Sequence, residues 1–452
     1  MLAQALKIAG ALLQARNEEH QGLKILDWQG FLHLTNSMLE QVQQVQQSCQ
    51  RKVQLDEHVG VEIQAGLLAI TYSQTKSIIE EFHQKCLLQT KQTLEQERWE
   101  RTDVPVQYKK ILETDILGHP EAGEQGSEDG NPPVERYLHV EGSHYLVVPA
   151  VLTLLQLLAE YIRLCRDFSD MTAEVVQRMC QLLRLFNQRA QRLVLDGQAV
   201  HHKVLPNIKA ANLALSSQCC GLMAQVLPLL QSRLNAVAGS QSTHNAQTAA
   251  KGALVVALLS DLSKIASEFA EHRGALFGKL SDLLRVHYEK HSQRWLKVPH
   301  SDCPDIWKGD AMATLRSESA LGEHESLEGL MKDITAMYRV LLRNLNYDSV
   351  RKIFARAFEE IASSFRRRLE QDLPAPSPPY SESLGRSLGD RLLLDFAYLY
   401  RELGTLTGIT TPLQRLLCDL VQHLQTKLPE DPPKKIHPAV LEALHRAGRL
   451  PQ

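Results

Sequence analysis

Apolar residues recur every three or four positions through most of this chain, the spacing that lines one face of a helix. One series runs Val175, Val176, Met179, Leu182, Leu183, Phe186, Ala190, Leu193 and Val194. Thr172 precedes it as the expected N-cap, and Gly197 follows where a C′ glycine ends a helix. A second stripe holds Leu258, Leu262, Ile265, Phe269, Leu276, Leu280 and Leu283, with His272 inside it and Gly274 weakening it locally. A third takes Leu330, Ile334, Met337, Leu341 and Leu345, and a fourth takes Val350, Ile353, Phe354, Ala357, Phe358, Ile361, Phe365 and Leu369. Leu388–Leu406 and Leu413–Leu428 predict one more pair of helices, the second opened by Pro412 at about N1. Val140–Val148 reads as a strand pair with Glu141-Gly142 near its turn. The pattern predicts an all-α chain of helical bundles with one small β-hairpin near 138–148.

Three stretches interrupt the periodicity. Gly118–Pro133 (GHPEAGEQGSEDGNPP) is acidic and rich in Gly and Pro, which predicts a disordered linker. Gly239–Thr248 is a polar loop between helices, and Pro374–Arg386 is a Pro/Ser turn region that no helix crosses. A softer break runs from Val298 to Glu325. The expected organisation is an N-terminal helical segment (1–117), a linker (118–134), a helical bundle (135–300), a second linker (301–326) and a C-terminal helical bundle (327–452).

Bulk composition narrows the function. With 452 residues and 44 % hydrophobic content, a substantial core is available, and the formal net charge of −2 gives no global field for nucleic acid or an anionic membrane. The eight cysteines form no C-x-x-C pair, and most lie on apolar helical faces as small hydrophobes. A reducing, cytosolic setting follows. Met1–Leu13 is interrupted by Gln4 and Lys7 and does not read as a signal peptide. Tyr145–Tyr161 reads as the most apolar window, and Pro149, Thr153, Gln156 and Glu160 break it short of a membrane span. Membrane contact is therefore expected to be peripheral.

G-x-x-x-x-G-K-[ST] and G-x-G-x-x-G do not occur, and the one G-x-S-x-G, Gly385–Gly389, follows the Pro/Ser turn region and not a strand, so it does not read as a nucleophile elbow. His287 and His291 stand four apart, but Tyr288 holds the position where a zincin has its Glu, so a surface helix is expected rather than a metal site. His201-His202 reads as a solvated turn. In ERWERTDVP (Glu97–Pro105), Trp99 is expected to bury while Glu97, Arg98, Glu100 and Arg101 stay wet, with Asp103 and Pro105 stopping the helix. Arg366-Arg367-Arg368 reads as a helix end whose cations complement the dipole. With Arg343, Arg351, Lys352 and Arg356 on preceding turns, it is also a candidate basic patch for acidic lipid or a partner, weakened by Glu359, Glu360 and Glu370. Aromatics lie on core stripes and do not form a nucleic-acid platform. No catalytic, cofactor or metal residues are assigned.

Four segments carry a resemblance: ERWERTDVP, HVEGSHYLVV (His139–Val148), LLRLFNQRAQRLVLDGQAV (Leu182–Val200) and KAANLALSSQC (Lys209–Cys219), the last two being the most specific. They resemble the C-terminal half of the vacuolar protein sorting-associated protein 54 family, subunits of the Golgi-associated retrograde protein tethering complex. The likeness covers roughly Glu97 to Leu428. It implies rod-like helical bundles stacked end to end, no catalytic residues, and capture of endosome-derived vesicles at the cytosolic face of the trans-Golgi network. The implied partners are the sister subunits, SNAREs, small GTPases and an acidic membrane surface, and not nucleic acid. Met1 falls well inside the family's length, so the N-terminal coiled coils that carry assembly and SNARE contacts are expected to be missing. From the residues alone, a soluble helical adaptor for a small GTPase or a SNARE helix is the other reading.

Overall fold

Helical periodicity becomes helices that lie side by side in register. The computed structural model describes residues 57–118, 135–240, 246–295, 325–372 and parts of 399–427. The expected linkers at 119–134 and 301–324, the Pro/Ser turn region at 374–386 and most of Leu388–Leu406 lie outside these residues.

Helix α1 (Glu57–Glu95) is followed by an extended segment and by α2 (Val106–Lys110), which runs straight into a π-helix at Ile111–Ile116. Strands β1 (Leu138–Val140) and β2 (Ser143–Tyr145) pair antiparallel, Leu138 opposite Tyr145 and Val140 opposite Ser143. Glu141 and Gly142 form the turn with φ of 44° and 77°, the left-handed pair that a two-residue hairpin requires. Then come α3 (Pro149–Asp167), α4 (Thr172–Val194), the short α5 (Gln198–His201), α6 (Ala210–Ser240), α7 (Ala246–Trp295), α8 (Glu325–Asn344), α9 (Tyr347–Asp372) and α10 (Thr410–Lys427). The expectation of an all-α architecture with one small hairpin is met.

Side-chain pairs fix how the helices run. Lys76–Glu174, Glu80–Arg178 and Glu95–Arg189 ascend together, so α1 and α4 are parallel. His83 meets Tyr161 while Ala150, at the start of α3, meets Glu97 just past α1, so α3 runs antiparallel to α1. Helices α6 and α7 form an antiparallel hairpin, with Gln231 meeting Ser263 and Cys220 meeting His272. Helix α7 also runs parallel to α4, through Arg184–Asp261 and Asn187–His272. Helix α9 lies parallel to α7, as Arg273–Ser349 and Arg285–Glu360 show, and α10 packs on α9.

One continuous core joins these layers, from Ile79 to Leu420. Every stripe residue expected on α4 is buried, as are those of α8 and the described ones of α9. On α7, Leu258 and Leu283 are only partly buried, and their neighbours Leu259 and Leu284 take the core positions. Three end signals differ from expectation. Thr172 is the first residue of α4 rather than its cap, and its hydroxyl donates to the Cys165 carbonyl at 3.4 Å; the cap is Met171, which closes a 3-10 turn. Gly197 lies three residues past the end of α4, at φ 75°, and is the N-cap of α5. Pro412 is the third residue of α10, not the first.

The apolar helix of greatest consequence is α6, not the Tyr145–Tyr161 window. Its segment Ala210–Asn235 is long and apolar enough to cross a membrane, yet 78 % of that segment's most apolar window is buried inside the bundle. Leu213 through Met223 is buried almost without a break, as befits a helix covered on all sides. The five described cysteine side chains, Cys86, Cys165, Cys180, Cys219 and Cys220, are free and buried. Burial pushes the Cys86, Cys165, Cys180 and Cys219 thiols up to about 12.

Candidate interaction surface

The motif segments come together in a structural knot. Helix α1 ends at Glu95, so Asp103 and Pro105 are not its stop; Thr102 and Val104 instead bridge to Val147 and Glu135 beside the hairpin. Trp99 is buried, as its apolar ring dictates, but Glu97 is buried too. One Glu97 oxygen accepts the Trp99 N–H and the other the Ala150 N–H, both at 2.8 Å. Glu97 thereby caps α3, whose own N-cap residue, Val148, offers no side-chain bond. Burial raises its pKa, opposed by backbone bonds from Ala150, Trp99 and Arg98.

Asn212, in the first turn of α6, closes the knot. It accepts the Lys209 N–H at 2.8 Å and donates to the Arg98 and Trp99 carbonyls at 3.3 and 3.1 Å. These bonds hold Trp99 at φ 53°, a conformation that a bulky residue rarely adopts. Two of the distinctive sequence segments thus serve to join α1, α3 and α6.

A second polar cluster lies in the core. His272 Nδ1 is 2.7 Å from Asn187 Oδ1 and 3.4 Å from Cys220 Sγ. An amide oxygen only accepts, so Nδ1 carries the proton. Cys, His and Asn together resemble a nucleophilic set, but here the thiol faces a nitrogen already committed to Asn187. Burial also raises the Cys220 thiol well above its ordinary value. The cluster is a packing device linking α4, α6 and α7.

The candidate basic residues lie on the outer side of α9 and the end of α8. The buried stripe of α9 from Val350 to Phe365 turns the opposite face outward. Arg351, Lys352, Arg356 and Arg367 are exposed on it, and Arg343 is exposed in the last turn of α8. Arg351 pairs with Asp348 at 3.4 Å, Arg356 with Glu360 at 3.1 Å and Arg366 with Asp419 of α10 at 3.3 Å. The side chain of Arg368 lies outside the described residues. The arginine run does not end its helix: α9 continues to Asp372 with no base in its last turn, so the dipole acts weakly on it. Helix α9 is fixed to α7 beneath this face. Arg356 lies over Gly278, where a Cβ would stand 2.9 Å from the guanidinium, and Ser281 donates to the Ile353 carbonyl at 3.0 Å. Arg273 sits 5.2 Å over the Phe277 ring and donates to Ser349 at 3.2 Å.

A groove of about 420 Å³ between the π-helix and α3 is lined by Gln107, Lys110, Asp115, Gln156, Glu160 and Arg163 among others. Arg163 and Arg166 hold Asp115 at 2.9 and 3.7 Å, and Arg233 donates to the Thr114 and Asp115 carbonyls. Its charges balance one another. His201 and His202 are exposed, as expected of a solvated turn. His287 and His291 are not merely solvated: both meet Asp333 of α8, a partner too distant in sequence to be inferred from their spacing.

Comparison with known proteins places this arrangement. Residues 142–286 match the family described as Vps54-like protein. The rat vacuolar protein sorting-associated protein 54 is 26 % identical over 263 residues, covering 58 % of this chain and 25 % of the rat protein. The human protein of that name is 29 % identical over 217 residues, covering 47 % of this chain and 21 % of its own. The Arabidopsis thaliana protein named vacuolar protein sorting-associated protein 54, chloroplastic, is 22 % identical over 402 residues, covering 73 % of this chain and 36 % of its own. The aligned parts thus span about a fifth to a third of these relatives' lengths.

Proposed function

We propose, for a Vps54-family chain whose Vps54-like region is residues 142–286, the role of a non-enzymatic subunit of a vesicle-tethering complex. Its route is retrograde, from endosomes to the trans-Golgi network, on the cytosolic face of those membranes. Its partners are the other subunits of the Golgi-associated retrograde protein complex, with SNAREs, small GTPases and acidic membrane surfaces as further contacts. One observation carries this reading: the polar residues of two distinctive segments, Glu97 and Asn212, are used to splice helices together. Side chains committed in this way leave helical faces as the means of action. Each face contributes modestly, and avidity comes from the assembled complex.

A second reading, a soluble adaptor for a small GTPase or SNARE helix, is favoured by the acids among the bases of α9. Asp348, Glu359 and Glu360 would face an acidic bilayer together with the cations.

Affinity purification of the tagged chain from its own cells, followed by mass spectrometry, tests both. Recovery of the sister subunits supports the tether. A folded chain that recovers none of them, but retains a GTPase or SNARE at stoichiometric level, establishes the adaptor instead.

A further inference from the structure

Helices α7 and α8 meet across a three-residue polar cluster. His287 and His291 lie one turn apart on α7, and His287 Nδ1 and His291 Nε2 stand 2.8 and 3.0 Å from one oxygen of Asp333, Oδ2. A carboxylate oxygen only accepts, so both rings donate. Gly329, one turn before Asp333, makes room: a Cβ there would stand 2.7 Å from His291 Cε1. The side chains of His287, His291 and Asp333 are 44 %, 15 % and 33 % exposed, so protons reach the cluster without unfolding. Among the described residues no three His, Cys, Asp or Glu side chains are arranged to hold a metal ion.

The surrounding charges are largely paired. On α8, Lys332 binds Glu328 at 2.7 Å. On α7, Arg285 binds Asp282 and Glu289 and reaches Glu360 of α9; Lys290 is exposed. Helix α6 has no charged residue between Ala210 and Ser232, and Arg184 of α4 faces Asp261 and Glu268.

We propose that His287, His291 and Asp333 form a proton-operated latch that holds α8 to α7 more tightly in mild acid than in mild alkali. Imidazole is the side chain that ordinarily titrates between pH 5 and 8. With both rings neutral, Oδ2 accepts two ordinary hydrogen bonds. When the rings gain second protons, the same bonds become charge-assisted and roughly twice as strong. The two cations repel each other, but the anion lies between them. Partial burial pushes the Asp333 carboxyl up, and hydrogen bonds from His291 and His287 outweigh it and hold it below its ordinary value, so the anion persists in mild acid.

The test is hydrogen exchange of the full chain at pH 6.0 and 8.0, corrected for intrinsic rates, against Asp333→Asn. Asparagine keeps one oxygen acceptor for both rings and removes the charge, its second oxygen becoming an NH2 donor. Amides of α8 around Asp333 should gain roughly five-fold more protection on acidification in the parent than in the variant. An equal gain in both chains, or no gain in the parent, overturns the latch. Should Asp333→Asn fail to fold by circular dichroism, the double variant His287→Gln, His291→Gln is held to the same criterion.

Discussion

His272 should make the core acid-labile, by an amount that its surroundings fix. The ring is 3 % exposed, its Nδ1 proton goes to Asn187, and its Nε2 has no partner. A second proton would place an unpaired buried N–H and a positive charge in the core, and burial lowers the pKa from 6.5 to about 4. The folded pKa is depressed, so the unfolded chain takes up the proton first. The stability tied to the neutral ring is then fully present above pH 6.5 and is lost as pH falls through about 4. The loss is roughly 1 kcal/mol at pH 5.5 and roughly 2–3 kcal/mol at pH 4.5. Urea unfolding followed by circular dichroism at pH 7.5, 5.5 and 4.5, for the parent and for His272→Gln, measures it. Burial also lowers the pKa of His83, which adds acid lability of the same sign, but it is present in both chains and subtracts out. The parent should lose more stability than the variant by the stated amounts. Parallel pH dependences would refute the claim that a neutral buried ring resists protonation here.

Phe358→Ala or Phe365→Ala should cost about 3–5 kcal/mol and lower cellular abundance, since both rings are buried on the α9 stripe; a melting temperature within about a degree of the parent's would place this face outside the core. Glu97→Ala leaves the Trp99 and Ala150 N–H groups without acceptors and should cost about 2–4 kcal/mol in urea unfolding, whereas Glu97→Gln should recover part of it. Charge reversal at Lys352 and Arg367, exposed bases for which no ion pair is described, should weaken flotation with acidic liposomes at unchanged helicity; equal flotation removes the lipid contact.

The helices were legible because burial repeats with the helical period. The α4 and α8 stripes and the described part of the α9 stripe transfer from sequence to core without change, as does the Glu141-Gly142 turn. Long-range polar pairing was not legible. Glu97 read as a wet residue at a helix end because its two acceptor bonds depend on Ala150 N–H arriving 53 positions later. Likewise the Asp333 partner of His287 and His291 sits 42 to 46 positions away. One helix boundary drifted as well: the chain enters α4 through a 3-10 turn, so Met171 and not Thr172 stands at the cap, with no side-chain cap bond.

Helix α6 also bears on biosynthesis. During translation this membrane-length apolar segment leaves the ribosome before α7, the helix that pairs with it in the hairpin. Until roughly 50 further residues emerge, the nascent chain presents a surface that chaperones or the membrane-insertion machinery would recognise. A product ending just after Ser240 would keep that surface permanently open, and would be expected to aggregate or be misdirected to a bilayer. Expression designs should therefore keep α6 and α7 together.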